Sequence, residues 1–229
     1  MLTFHIFAGS FLLLFGIGAL TFKKGSVKHR YSGNLFFTSM LFMSGTAAFL
    51  NGGATMAMLT FYYGSTAWAV VLRKEKSTGI FEILAMLLIG YVSCSLFSFV
   101  LSATELSPMF KTIFTIHASI AALAVLLDLN MILRDGLSGK HRMARHTWRA
   151  CFAMLGAVMS FVANTSDYWA NFFDSNLLIL LMIGVLIYWL VRVLFTSWYD
   201  KAKDLLGLSL LTSKMFSFKR DIGQRQFEK

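Results

Sequence analysis

Asp128 is the residue of this chain that most needs a physical explanation. It lies within the apolar run Met109–Leu133 and, at 1.5 Å per helical residue, about 9 Å inside the end marked by Arg134. In lipid, a carboxylate near mid-membrane costs about 2.5–3.5 kcal/mol on insertion scales, so a side chain this deep calls for a partner. His117, Ala121, Ala124 and Asp128 recur at +4, +3, +4, which makes one helical stripe with two small residues between two ionisable ones. A matching ridge follows downstream: His146, Arg149, Ala153, Gly156, Ser160, Asn164 and Asp167. Small residues let helix backbones approach, and two helices joined by a short loop are expected to pack antiparallel. Counting from their inner ends brings Arg149 to Asp128 and sets His117 level with Ser160 and Asn164. Two chemistries suit such a seam, a buried ion pair that fixes helix register and a cytoplasmic cavity or proton path.

The five histidines divide into two groups. Counted back from the basic ends of their helices, His5 and His117 both lie about 25 Å from the inner boundary, in one layer near the opposite face. Level imidazoles on two helices are a possible axial pair for b-type haem, or part of another metal site, although no third ligand is evident. His29 stands beside Arg30, and His141 and His146 stand among Arg142, Arg145 and Arg149. So much positive charge disfavours a protonated imidazole and a bound cation, and it suits a phosphate or a carboxylate. Glu82 lies about 4 Å from its boundary and is expected to reach water by snorkelling. Cys94 and Cys151 share no ligand spacing and read as packing residues. No glycine-rich phosphate loop, HExxH or GxSxG stretch is present.

The elements that must hold these residues follow from composition. Of 229 residues, 57% are hydrophobic and 14% charged, too little polar surface for a water-soluble domain of this size. The apolar residues fall into runs close to the roughly 20 residues a helix needs to cross lipid: Leu2–Phe22, Asn34–Leu50, Ala54–Leu72, Ile80–Val100, Met109–Leu133, Trp148–Ala163 and Leu177–Phe195. None alternates with the period of a barrel strand. An all-α membrane bundle of about seven transmembrane helices is the expectation. It would occupy residues 1–195, with a basic amphipathic tail over 196–229 in which Leu208, Leu211, Met215 and Phe218 share a face. Pro108 after Ser107 fits the first turn of the fifth helix.

The net charge of +10 is distributed as topology would have it. With the N-terminus outside and the C-terminus in the cytoplasm, every Lys and Arg except Lys111 falls on the cytoplasmic side, while Glu105, Asp167 and Asp174 fall outside. The basic excess therefore points to anionic lipid headgroups and away from nucleic acid. The first run lacks a basic start and a small-residue cleavage pattern, so it reads as a retained helix and not a secretory signal.

Two stretches, KGSVKHRYSGNLFFTSMLFM (24–43) and RDGLSGKHRMARHTWRACFAM (134–154), carry KGxxxHRxxG and RHxWRxCFA patterns. They resemble an uncharacterised bacterial family of multi-pass hydrophobic proteins with a domain of unknown function. LTFYYGSTAWAVVLR (59–73), where an aromatic pair precedes a Thr-Ala-Trp step, is similar to that family's third helix. The resemblance implies an inner (plasma) membrane location and the same helix count, and brings no reaction. It draws attention to His29, Arg30, Gly33, Asp128, Arg145, His146, Trp148 and Arg149, and implies a shared basic site at the cytoplasmic face.

Three functional classes stay open on the residues. The first is binding, sensing or transport of a small anionic solute or lipid headgroup at a basic mouth, with His29, Arg30, Arg145, His146 and Arg149 as donors and Asp128 orienting Arg149. That class needs no cofactor or metal. The second is a haem b redox protein using His5 and His117. The third is a membrane-embedded, metal-dependent enzyme built on the inner histidines.

Overall fold

Long apolar runs in lipid can satisfy their backbone groups internally by coiling into helices, and short polar connections mark where each helix ends. The computed structural model, which describes residues 1–50, 54–169 and 176–205, is built this way. Its helices are α1 (Leu2–Thr21), α2 (Val27–Ala47), α3 (Ala54–Leu72), α4 (Ile80–Ser102), α5 (Pro108–Leu133), α6 (Gly139–Trp169) and α7 (Asn176–Leu205). Among the described residues, four stretches are long and apolar enough to cross a membrane: α1, α4, α5 and Leu177–Phe195 of α7. The buried ionisable residues come from both groups: Glu82 from α4, Asp128 from α5, and Arg145 and Arg149 from α6.

Local sequence explains the helix starts. The Ser26 hydroxyl accepts the His29 N–H at 3.2 Å and caps α2. Ser107 caps α5 through the Phe110 N–H, with Pro108 in the first turn where its missing donor costs nothing. Glu82 turns back to accept the Gly79 N–H at 2.9 Å, closing the first turn of α4.

α3 is the central element, packing on α2, α4 and α6, with an unbroken buried run from Tyr62 to Ala67. α1 lies on α2 and α6, α5 on α4, and α7 on α6. Gly64 of α3 faces the thioether of Met40, and Gly16 of α1 that of Met154, close approaches that small residues permit. The outside of the bundle is apolar: Phe7, Phe11 and Leu14 of α1, Leu84 and Leu87 of α4, and Leu177 and Leu180 of α7 are exposed. The inside holds Glu82, Asp128, Arg145 and Arg149. This inversion of the usual soluble arrangement suits a lipid surround.

The three connections that join α1 to α2, α3 to α4 and α5 to α6 gather at one end. The Lys76 N–H donates to the Leu137 carbonyl at 3.1 Å, and the Gly139 N–H to Glu75 at 3.2 Å. Arg142 of α6 reaches the end of α3 and donates to the carbonyls of Val70, Val71 and Arg73 at 2.9, 3.2 and 2.5 Å. These carbonyls belong to the orphan set at a helix C-terminus, where a cation also meets the negative end of the helix dipole.

The packing of the predicted seam differs from the expectation. α5 lies chiefly on α4 and α6 chiefly on α3 and α7, so the two do not form the close antiparallel pair that their short connection implied. The small residues are spent elsewhere: Ala118 accepts the Ser93 hydroxyl of α4 through its carbonyl, and Gly156 of α6 faces Thr60 of α3. α7 runs without a break past residue 195 to Leu205, and the amphipathic stretch expected around Leu208–Phe218 lies outside the described residues.

Candidate functional site

Asp128 of α5 is fully buried, and two other helices supply its partners. The Tyr62 hydroxyl of α3 donates to Oδ2 at 2.7 Å. Arg145 and Arg149 of α6 each donate to Oδ1, through Nη1 and Nη2 respectively. Arg145 and Arg149 are separated by one helical turn, so both project to the same side of α6. Their long side chains reach Asp128 without close backbone packing of α5 on α6.

The electrostatic balance of this cluster is uneven. Two guanidinium groups meet one carboxylate, leaving one positive charge in excess where Arg149 is fully buried and Arg145 nearly so. Arg149 Nε and Nη1 and the Tyr63 hydroxyl have no hydrogen-bond partner among the described residues. The guanidinium of Arg149 is instead held by aromatic faces, 4.8 Å from the Tyr62 ring centroid and 5.1 Å from that of Trp148. Tyr63, Trp148 and Phe152 pack edge-on or tilted around this box at 5.4 to 5.7 Å.

Arg145 also opens outward. It lines a cavity of about 20 Å³ at the end where the α3–α4 and α5–α6 connections meet. Thr66, Arg73, Lys74, Glu82 and Arg142 supply most of its remaining polar wall. Arg73 Nε pairs with Glu82 at 2.5 Å, and Arg142 lies 3.7 Å from Glu75. Glu82, expected to snorkel to water, is turned inward and buried because that pair and the α4 cap hold it.

A second basic group lies on the α1–α2 side of the same end. His29 Nδ1 donates to the Ala19 carbonyl at 2.9 Å, and Lys24 Nζ donates to that oxygen at 2.7 Å. Lys24 also sits 4.2 Å over the Trp189 ring of α7. His146 Nδ1 donates to the Ala67 carbonyl at 2.9 Å and lies within electrostatic reach of His29. His29 precedes the apolar run that begins at Asn34. Burial there, and then the charge of Lys24, push its imidazole below the ordinary histidine range, against the carbonyl that favours the proton. Lys24 is likewise pushed down, first by burial.

The six residues predicted for the basic mouth thus separate. Asp128, Arg145 and Arg149 come together; His29 and His146 form the neighbouring group; Arg30 is exposed. The helix count matches Asp128 to Arg149 alone, and the structure gives it Arg145 and Tyr62 as well. Tyr62, Tyr63, Arg73 and Arg142 were not singled out as site residues. The available signal is the Tyr62-Tyr63 pair, two adjacent phenol hydroxyls in the middle of an apolar run.

His5 and His117 are each committed within their own helix pair. His5 Nδ1 lies 3.0 Å from both the Met43 carbonyl and Thr46 of α2, while His117 Nδ1 donates to Ile113 of its own helix at 2.8 Å. α1 packs on α2 and α6 and α5 on α4, so the packing gives the two rings no common face. His117 does not pair with Asn164, whose amide donates to Ser160 of its own helix. Among the described residues no three His, Cys, Asp or Glu side chains are grouped to hold a metal ion. No family profile, curated protein or solved structure matches the chain.

Proposed function

We propose that this chain is a seven-crossing protein of the bacterial inner membrane, with its N-terminus outside and its C-terminus in the cytoplasm. In this reading it binds a small anionic solute or an anionic lipid headgroup at a basic cytoplasmic mouth, as the binding step of transport or sensing. One observation carries the reading: Arg145 lines an open cavity and at the same time belongs to a buried cluster with more cation than carboxylate. An anion at the cavity completes a charge balance that the protein leaves incomplete. The Lys and Arg distribution supports the orientation, and so does the meeting of the α3–α4 and α5–α6 connections at the end where Arg142 and Lys76 lie.

Arg73 and Arg142 are already engaged with Glu82 and with the end of α3, so they frame the mouth. Lys74 is exposed at its rim and attracts anions from solution. Arg145 is the donor that contacts the guest. The test is thermal unfolding of detergent-purified protein against phosphate, sulfate, chloride and phosphatidylglycerol-containing micelles. The reading expects at least one saturable stabilisation that Arg145→Met removes. Identical responses from the wild type and the variant to every anion overturn it.

A further inference from the structure

We infer that the guest of this site is a single small monovalent anion of halide size, bound against Arg145. The inference rests on the anion-binding reading above and narrows its ligand class. Two independent observations point to it.

The first is charge. Arg73 is matched by Glu82 and Arg142 by Glu75, Lys74 stands in solvent at the rim, and the buried Asp128 cluster is left with an excess of one. One carboxylate serves both guanidinium groups: Tyr62 donates to Oδ2, and Arg145 and Arg149 both donate to Oδ1. A monovalent guest at Arg145 leaves Asp128 to Arg149 and brings the cluster to neutrality. A dianion over-corrects it and carries a larger dehydration cost into a confined site.

The second is size. A cavity of about 20 Å³ exceeds the roughly 10–15 Å³ needed for one water-sized sphere, and it is far below the space a phosphate diester headgroup requires. The walls are set by fixed elements: Arg142 is tied to the carbonyls of Val70, Val71 and Arg73, Glu82 caps α4, and the Gly136 turn lies against the backbone of Ser77. The Thr66 side chain, which lines the same space, donates its hydroxyl to the Tyr62 carbonyl at 2.5 Å and so joins the cavity wall to the helix turn that carries Tyr62.

The experiment titrates detergent-purified protein with sodium fluoride, chloride, bromide and nitrate, and separately with sulfate and phosphate. Ionic strength is held constant with gluconate. The expected result is a saturable rise in Tm of about 3–5 °C at ten times Kd for a halide, with sulfate and phosphate inert. Arg145→Met, which keeps the neutral Asp128–Arg149 pair, is expected to fold and to lose the halide response. Stabilisation by phosphate, sulfate or phosphatidylglycerol through Arg145, with halides inert, overturns this inference and leaves the anion-binding reading standing. A halide response unchanged in Arg145→Met, or no Arg145-dependent response to any anion, overturns both.

Discussion

Two guanidinium groups share one oxygen of Asp128, and that sharing decides how substitutions around it behave. Asp128→Asn leaves two buried cations with no carboxylate, whereas Arg145→Met leaves one cation with one carboxylate. Removing the common partner of buried charges costs about 3–5 kcal/mol, so Asp128→Asn is expected to approach that figure and Arg145→Met to cost less than half of it. Equal losses in denaturant or thermal unfolding would contradict the charge count. Tyr62→Phe removes one donor to Oδ2 and is expected to cost about 1–2 kcal/mol. His29 gives a pH signature. Its folded-state imidazole is held below the ordinary value of 6.5, so the unfolded chain binds a proton that the folded one resists. Its contribution to stability is complete above that value and is lost as pH falls through it. Melts between about pH 7.5 and about pH 5.5 should show an acid loss that His29→Gln reduces. An undiminished loss in the variant assigns the effect to another group.

At the scale of elements, the helices were legible and their partners were not. Ala54–Leu72 is both the apolar run and the helix, and Leu2–Phe22, Ile80–Val100 and Met109–Leu133 differ from α1, α4 and α5 by one or two residues at an end. α2, α6 and α7 extend well beyond their apolar runs, because hydropathy marks a length that suits lipid while the hydrogen-bonded helix continues into polar sequence. α6 starts at Gly139, so Arg142, Arg145 and His146 are helical and Arg142 can reach the end of α3. Of the stripe His117, Ala121, Ala124 and Asp128, the last three are fully buried and His117 is half-buried. Which helix that stripe meets depends on three-dimensional order, and periodicity within one helix carries no information on it. Trp68 donates to Asn34 at 3.1 Å and stacks on Phe37 at 4.4 Å, tying α3 to α2. The turn at Gly136 has φ +110°, and an added Cβ would lie 2.5 Å from the Ser77 nitrogen. Gly136→Ala is therefore expected to destabilise by more than about 1 kcal/mol. Gly45→Ala in α2, where a Cβ meets nothing within 4 Å, is expected to be neutral or stabilising by up to about 1 kcal/mol. Unfolding midpoints of the two variants check the contrast.

For the whole molecule, the proposed orientation predicts which connections face which compartment. Single substitutions Lys24→Cys and Ser138→Cys are expected to react with a membrane-impermeant maleimide only from the cytoplasmic side, and Thr104→Cys only from outside. The two native cysteines lie within helices, one buried and one on the outer surface of the bundle, so a background without them is the clean host. Labelling of Lys24→Cys from outside reverses the topology.

The ribosome delivers these helices in order, and the Asp128 cluster draws on three of them. When α5 leaves the exit tunnel, Tyr62 is already available, but both guanidinium partners of the carboxylate are still to be synthesised. The end of α3 waits for Arg142 in the same way. A nascent chain halted before α6 therefore holds a carboxylate with no counter-charge at depth and a helix end short of its cation. Insertion of the second half of this protein is expected to be concerted, with α5 kept near the translocon or the membrane surface until α6 arrives.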